Sequence, residues 1–273
     1  MFIEVDGQQV FALSFGTGDQ TLLSHGGWIG SSEVWLPTME LLSPTWRTVA
    51  YDHRGAGATT APLEAITYEA LVDDLFRVMD ALDIDRCVAG GESAGTQIVL
   101  HAALLHPERF SGMVLVDGSA GVRPPGAIPT QARGGPSTWP GADHRARMRG
   151  FIERCTPEPN IEHIRHWGLD ILMRASPDAA ERLWGIGTAH AAALAPRLTE
   201  VRVPSLLIRG SADVLVSPDS MEYLAAQLPE SKLVIIDGAG HVPIMTRPQT
   251  VAAEIDGFFR NIGKVRQRDP TVC

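Results

Sequence analysis

The stretch Cys87-Val88-Ala89-Gly90-Gly91-Glu92-Ser93-Ala94-Gly95-Thr96-Gln97-Ile98-Val99-Leu100 constrains the fold of this chain more than any other. It reads as a short apolar strand, a tight turn carrying one serine, and an apolar helix. The serine stands in Gly91-x-Ser93-x-Gly95. A side chain lifted out of a strand-to-helix turn needs strained backbone angles there. Its flanks must be small so that strand and helix can pass close together. The same turn aims the first free N–H groups of the helix at any negative oxygen formed beside the serine. A glycine-rich turn with an idle serine is the plain alternative, and the partners elsewhere in the chain decide between the two readings.

The stretch is embedded in alternating short apolar strands and helices. Phe2 to Val5 and Gln8 to Phe15 read as strands joined at Asp6-Gly7. Thr21 to Ser24 and Thr48 to Tyr51 are short buried strands, separated by a helix over Glu33 to Leu42 that stops before Pro44. Leu71, Val72, Leu75, Val78, Met79 and Leu82 recur at helical spacing and predict a helix over Thr67 to Leu82. Met113 to Val116 is another strand, closed by Asp117-Gly118. From Gly121 to Thr199 the pattern changes. A Pro/Gly-rich segment, Pro124 to Gly141, is followed by two helical stretches, Ile161 to Ala175 and Asp178 to Leu194. Strands resume at Pro204 to Arg209 and Lys232 to Ile236, with helices over Pro218 to Leu228 and Gln249 to Arg260 and a frayed polar tail after Ile262.

Such alternation implies a mostly parallel sheet covered on both faces, an α/β architecture. Ligands bind at the carboxyl ends of the strands of such a sheet. A helical insertion after the sixth strand would roof that end as a cap. The expected division is a core of residues 1–120 and 200–273 and a cap of residues 121–199.

A serine hydroxyl is a weak nucleophile at neutral pH. It needs a base to take its proton, and the base needs a carboxylate to fix its tautomer. Partners should lie on loops after core strands. His241 follows Val234-Ile235-Ile236 through Asp237-Gly238-Ala239-Gly240, and Asp213 follows Leu206-Leu207-Ile208 through Arg209-Gly210-Ser211-Ala212. The order Ser93, Asp213, His241 is that of triads on this kind of sheet. Asp117 is the rival acid. Loop context favours Asp213 and leaves Asp117 to bond turn amides.

These motifs resemble those of the α/β-hydrolase fold family. The resemblance rests on His25-Gly26, Asp52-His53-Arg54-Gly55-Ala56-Gly57, Gly91-Glu92-Ser93-Ala94-Gly95, Gly210-Ser211-Ala212-Asp213 and Gly238-Ala239-Gly240-His241. It covers nearly the whole chain, the insertion least securely. Ala58 departs from the Ser or Thr frequent after the second glycine of the Asp52 loop, which touches loop bonding and not the triad. The resemblance implies Ser93 as nucleophile, His241 as general base and acid, and Asp213 as orienting carboxylate. Ala94 N–H and a donor from the loop after the third strand, Gly27 first and Trp28 second, would form the oxyanion hole. His25 is expected to brace that loop through backbone bonds.

The expected activity is cofactor-independent hydrolysis of a carboxylic ester, or a related acyl bond such as a lactone, on a small, largely apolar molecule. Serine at position 93, where related epoxide hydrolases and dehalogenases have aspartate, implies an acyl-enzyme. The C–C bond hydrolases, acyltransferases and perhydrolases of this fold remain alternatives. So does a ligand receptor that kept the hydrolase fold. Activity needs a neutral imidazole and should rise with pH through about 6.5.

Trp139, Trp167 and Trp184 in the insertion are candidates for an apolar pocket, or equally for packing the cap onto the core. The insertion carries ten arginines, no lysine and seven acidic residues, so a carboxylate-bearing substrate is conceivable. Arg145, Arg147 and Arg149 read better as a solvated face. Glu162, His163 and His166 lack a matching distant ligand and read as a surface helix, so no metal is expected. Gly55-Ala56-Gly57 and Gly185-Ile186-Gly187 are not nucleotide-binding fingerprints.

The formal net charge of −9 argues against nucleic acid and an anionic membrane surface as partners. Three scattered cysteines, Cys87, Cys155 and Cys273, fit a reducing compartment. No signal peptide or run of about 18 apolar residues is visible, so a cytoplasmic location is expected. The oligomeric state is left open.

Overall fold

A computed structural model of the chain describes residues 1–126 and 135–268. Its eight strands form one sheet: β1 (Phe2–Val5), β2 (Gln8–Phe15), β3 (Gln20–His25), β4 (Trp46–Tyr51), β5 (Cys87–Glu92), β6 (Phe110–Val116), β7 (Ser205–Gly210) and β8 (Ser231–Ile236). The spatial order is β1-β2-β4-β3-β5-β6-β7-β8. β2 runs antiparallel to β1 and β4, and every other pairing is parallel. The serine strand β5 is therefore central, flanked by β3 and β6.

The helices are α1 (Leu36–Leu42), α2 (Tyr68–Ala81), α3 (Gly95–Leu105), α4 (His144–Cys155), α5 (Glu162–Leu172), α6 (Pro177–Leu194), α7 (Pro218–Gln227), the single turn α8 (Pro243–Thr246), and α9 (Pro248–Arg268). Alternate residues of the buried strands feed two cores, as the period of two requires. Leu22, Val114, Val116, Leu206 and Ile208 pack with α1 and α9. Leu23, Ala89, Met113, Leu115 and Leu207 pack with α2 and α3 on the opposite face. Doubly covered strands explain why β6 and β7 read as continuous apolar runs.

Several boundaries differ from expectation. The helix expected over Glu33 to Leu42 opens as a 3₁₀ turn, Ser32–Trp35, capped by Ser31 Oγ accepting from Glu33 N–H. The regular helix begins only beside Pro37, whose missing N–H suits a first turn. α9 continues to Arg268 where the pattern suggested an end at Arg260 and a frayed tail. α4 was hidden by its arginines. Only Met148, Ile152 and Cys155 of that helix are buried, at i, i+4 and i+7, and Asp143 caps it by accepting from Ala146 N–H. Glu162, His163 and His166 lie exposed on α5, and Arg145 and Arg149 lie exposed on α4. The Pro/Gly-rich segment lies partly outside the described residues, as does Cys273. Among the described residues, no helix is long and apolar enough to cross a membrane.

The segment between β6 and β7 is tied to the sheet by specific bonds. Trp28 Nε1 donates to Ala180 O of α6 at 2.8 Å, and Trp167 Nε1 donates to Glu33 Oε2 at 2.9 Å. The loop after β4 is pinned differently. Arg54 Nε and Nη2 donate to Asp74 Oδ2 and Oδ1 at 2.6 and 2.8 Å, with both residues buried. Removing Asp74 leaves the buried guanidinium only the exposed Asp6, whose Oδ2 lies 3.4 Å from Nη2. Asp74→Ala is expected to lower unfolding free energy by about 3–5 kcal/mol, read from the urea midpoint at constant slope.

Candidate active site

Ser93 ends the turn between β5 and α3 with φ +50, a left-handed conformation that a side chain other than glycine's adopts at a cost. The flanking glycines make that turn possible. A Cβ at Gly91 would stand 2.7 Å from Gly95 O, and one at Gly95 would stand 2.5 Å from Gly26 O. Strand, helix and the loop after β3 thus meet backbone to backbone, and the small flanks expected from the sequence are a steric requirement.

The structure brings Ser93, Asp213 and His241 together. His241 Nε2 is 2.8 Å from Ser93 Oγ, and His241 Nδ1 is 3.0 Å from Asp213 Oδ2. A carboxylate only accepts, so Nδ1 carries the ring proton and Nε2 is left to accept from the Ser93 hydroxyl. Asp213 Oδ1 also accepts from Leu215 N–H at 2.7 Å and Val216 N–H at 3.3 Å. Arg209 Nη2 donates to the carbonyl oxygens of Asp213 and Val216, so the loop carrying the acid is braced from within. The histidine loop is held by the inserted segment. His241 N–H donates to Cys155 O at 2.7 Å, and Gly240 N–H donates to Glu158 Oε1 at 2.8 Å.

Electrostatics separate the two neighbouring aspartates. Burial, and then the charge of Asp213, push the Asp117 carboxyl well above the usual carboxylate range. Burial also works to raise Asp213, but the His241 ring, the Leu215 N–H and Asp117 outweigh it and hold Asp213 low. Asp117 Oδ1 accepts from Gly210 N–H at 3.0 Å, while its Oδ2 finds no protein donor. A proton on Asp117 Oδ2, given to Asp213, satisfies both groups. For His241, burial lowers the pKa, and the carboxylates of Asp213 and Glu92 reverse the effect, so the imidazole lies above its ordinary value.

His25 and His53 stack at 4.7 Å and brace the loop after β3. His25 Nδ1 lies 2.6 Å from Gly26 O, and His53 Nε2 lies 3.0 Å from Gly27 O. Burial drives His25 down to about 3 and lowers His53 as well, so both rings are neutral and donate one proton to a loop carbonyl. Asp52 closes the next loop by accepting from Ser32 N–H and Ala58 N–H, each at 2.7 Å. Ala58, which lacks the hydroxyl frequent there, still supplies its backbone donor.

Gly27 and Ala94, the residues expected to donate to an oxyanion, both line a cavity between the sheet and the inserted helix α6. Trp28, Leu183 and Ile186 form apolar walls, and Gln97 contributes a buried Oε1 without a hydrogen-bond partner. The three candidate pocket tryptophans do not line it. Trp139 and Trp184 pack edge-on against Trp28 at 5.3 and 5.6 Å, and Trp167 anchors the insertion to Glu33. Packing is the alternative the geometry takes for all three, because each ring is spent on a neighbouring element.

Sequence reasoning quoted Glu92 but gave it no role. Its carboxylate is buried, lies against the Gly27 backbone, and has one oxygen 3.8 Å from His241 Nε2. The available signal was a carboxylate at the end of a strand whose every residue is buried. Among the described residues, Asp117, Asp213 and His241 also offer oxygens and nitrogens within 4.8 Å of one another. Asp213 is already hydrogen-bonded to His241 and Asp117 to Gly210 N–H, which suits acid–base work better than a cation.

The chain matches the family model described as alpha/beta hydrolase fold over residues 20–248. It is 27% identical over 255 residues to a putative carbamate hydrolase, RutD, of Caulobacter sp. (strain K31), covering 88% of this chain and 90% of that protein. It is 28% identical over 252 residues to a pimeloyl-[acyl-carrier protein] methyl ester esterase of Aeromonas hydrophila, covering 89% and 96%. Its fold matches that of an esterase from Exiguobacterium antarcticum with TM-score 0.79 at 20% identity, over 95% of this chain and 98% of the other. An enol-lactonase from Burkholderia xenovorans LB400 superposes with TM-score 0.78 at 21% identity, over 95% and 100%.

Proposed function

The chain is an enzyme of the alpha/beta hydrolase fold family, and on that premise we propose that it is a serine hydrolase cleaving a carboxylic ester or lactone through an acyl-enzyme on Ser93. One observation carries the reading. A hydroxyl, an imidazole and a carboxylate stand in line at 2.8 and 3.0 Å on a strained turn beside a cavity. The relatives' named activities, on a carbamate and a methyl ester, share attack at an acyl carbon bonded to a heteroatom and support the same class.

In the proposed cycle, Ser93 Oγ attacks the acyl carbon while His241 Nε2 takes its proton. Asp213 holds the imidazolium through Nδ1–H. The N–H groups of Ala94 and Gly27, with Trp28 as the second choice in that loop, receive the oxyanion. His241 then gives its proton to the leaving oxygen, and the carbonyl reforms. Water then attacks the acyl carbon as His241 Nε2 takes its proton, and Nε2 returns that proton to Ser93 Oγ as the acyl–oxygen bond breaks and the acid product leaves. The residues 121–199 act as the cap over the site, and residues 1–120 and 200–273 as the core. Buried, unpaired Cys87 and Cys155 support a reducing, cytoplasmic setting.

Turnover of a graded series of p-nitrophenyl esters tests the reading. The apolar walls of Trp28, Leu183 and Ile186 close around the cavity, so short acyl chains are expected to be preferred, with rates falling as the chain lengthens. Failure of every member, with cleavage of a ring-cleavage dienoate instead, would replace ester hydrolysis by C–C bond hydrolysis.

The pH dependence has a definite sign. Catalysis needs neutral His241, and its pKa is raised, so kcat/KM is expected to be full at high pH and to fall as pH drops through a midpoint above 6.5. The midpoint of about 6.5 expected for an unperturbed imidazole is thus displaced upward. A profile flat between pH 5 and 8 contradicts His241 as base.

A further inference from the structure

We propose that Glu92 is a positioning residue of the reaction, a second carboxylate that faces the catalytic imidazole at the ring nitrogen opposite the one held by Asp213. The proposal rests on the serine-hydrolase reading above and adds a group that the Ser-Asp-His scheme does not use. Three observations carry it. Glu92 Oε1 lies 3.8 Å from His241 Nε2, both side chains being about 5% exposed or less. His241 is the only ion-pair partner within 4 Å of that carboxylate among the described residues. The other oxygen is pressed against the loop after β3, where a Cβ on Gly27 would stand 2.4 Å from Glu92 Oε2.

At rest the Gly27 backbone lies against the Glu92 carboxylate, and its N–H favours the charged form. A substrate carbonyl oxygen entering the oxyanion hole takes over that donor. The carboxylate is then left with the imidazole as its counter-charge, at the moment when Ser93 transfers its proton to Nε2. A carboxylate this close stabilises imidazolium over imidazole. Glu92 therefore assists proton transfer from serine, and it also keeps His241 protonated to higher pH in the free enzyme.

The other groups around the pair do not replace this effect. Asp213 faces Nδ1 and is balanced by its own amide donors, with Asp117 behind it. Arg209 lowers the imidazole pKa from β7. The inserted segment brings the Cys155 carbonyl to His241 N–H and Glu158 to Gly240 N–H. Burial raises Glu92 to about 7, with His241 and Gly27 N–H opposing and Asp213 adding. With Glu92 Oε1 3.8 Å from Nε2, Glu92 and His241 are expected to titrate as one pair with two macroscopic steps.

The test is the pH dependence of Ser93 inactivation by a fluorophosphonate, which reads serine reactivity without needing the natural substrate. Glu92→Gln keeps the shape and an acceptor for Gly27 N–H but removes the charge. Its acid limb is expected to move to lower pH by about one unit relative to wild type, while Glu92→Asp stays nearer the wild-type limb. A merely structural residue would lower the amplitude and leave the limb in place. Coincident limbs in wild type and Glu92→Gln overturn the proposal, and so does an equal shift in Glu92→Asp. If Glu92→Gln does not fold, the ¹⁵N shift of the His241 imidazole in wild-type protein decides. Two inflections support the pair, and a single one overturns it. A Ser93 that is inert at every pH in wild type overturns the serine-hydrolase reading and this proposal together. A reactive Ser93 with an unmoved limb overturns this proposal alone.

Discussion

Ser93→Ala is expected to lower kcat for ester hydrolysis by about 10⁴–10⁶-fold while leaving the fold intact. Oγ is the only heavy atom removed, and its partner His241 Nε2, 2.8 Å away, remains held by Asp213. Alanine also fits the φ of +50 no worse than serine does, so the turn keeps its strain and shape. Residual activity would come from the oxyanion donors and from substrate binding alone. Far- and near-ultraviolet circular dichroism should show no difference, and the urea midpoint should be unchanged. A variant with half the wild-type rate would mean that the 2.8 Å contact plays no part in turnover.

Asp213→Asn is expected to lower kcat by about 10⁴-fold. The amide presents a donor where His241 Nδ1–H needs an acceptor, and the ring then turns or changes tautomer, so Nε2 no longer accepts from Ser93. Asp117→Asn should cost far less. Asp117 is neutral by reason of its burial and the Asp213 charge, and its neutral carboxyl does what an amide also can: accept from Gly210 N–H and donate to Asp213. The contrast between the two variants assigns the acid. Equal losses would make the pair act as one unit, and a larger loss at Asp117 would exchange their roles.

How far the sequence foretold this structure depends on which residues carry the signal. Strand–helix alternation and the five motif loops specify backbone geometry locally, so β3 to β8 and the positions of Ser93, Asp213 and His241 were legible. The glycines at 91 and 95 announce a close approach whose neighbours, Gly95 O and Gly26 O, are themselves backbone. The insertion was harder to read. α4 buries three side chains among arginines, too thin a stripe to stand out from its neighbours. The tryptophans could not be sorted into pocket and packing, because that depends on which element each ring meets. Trp28 meets Trp139, Phe151 and Trp184, a contact set spread over more than 150 positions of chain. Glu92 was invisible for another reason. A strand residue next to the nucleophile points either into the sheet or into the site, and only the position of Gly27 and His241 decides which. The upward displacement of the His241 midpoint was not legible for the same cause, since it depends on how closely Asp213 and then Glu92 approach the ring.

The central claim is that Ser93 carries the acyl group during turnover. Its most direct test is mass spectrometry of enzyme quenched during hydrolysis of a slow ester such as p-nitrophenyl trimethylacetate. The account predicts one added acyl group, located on the peptide containing Ser93, absent from Ser93→Ala and lost again as turnover completes. Hydrolysis that proceeds at full rate with the acyl group on another residue, or with none on Ser93 under conditions where deacylation is limiting, would contradict it.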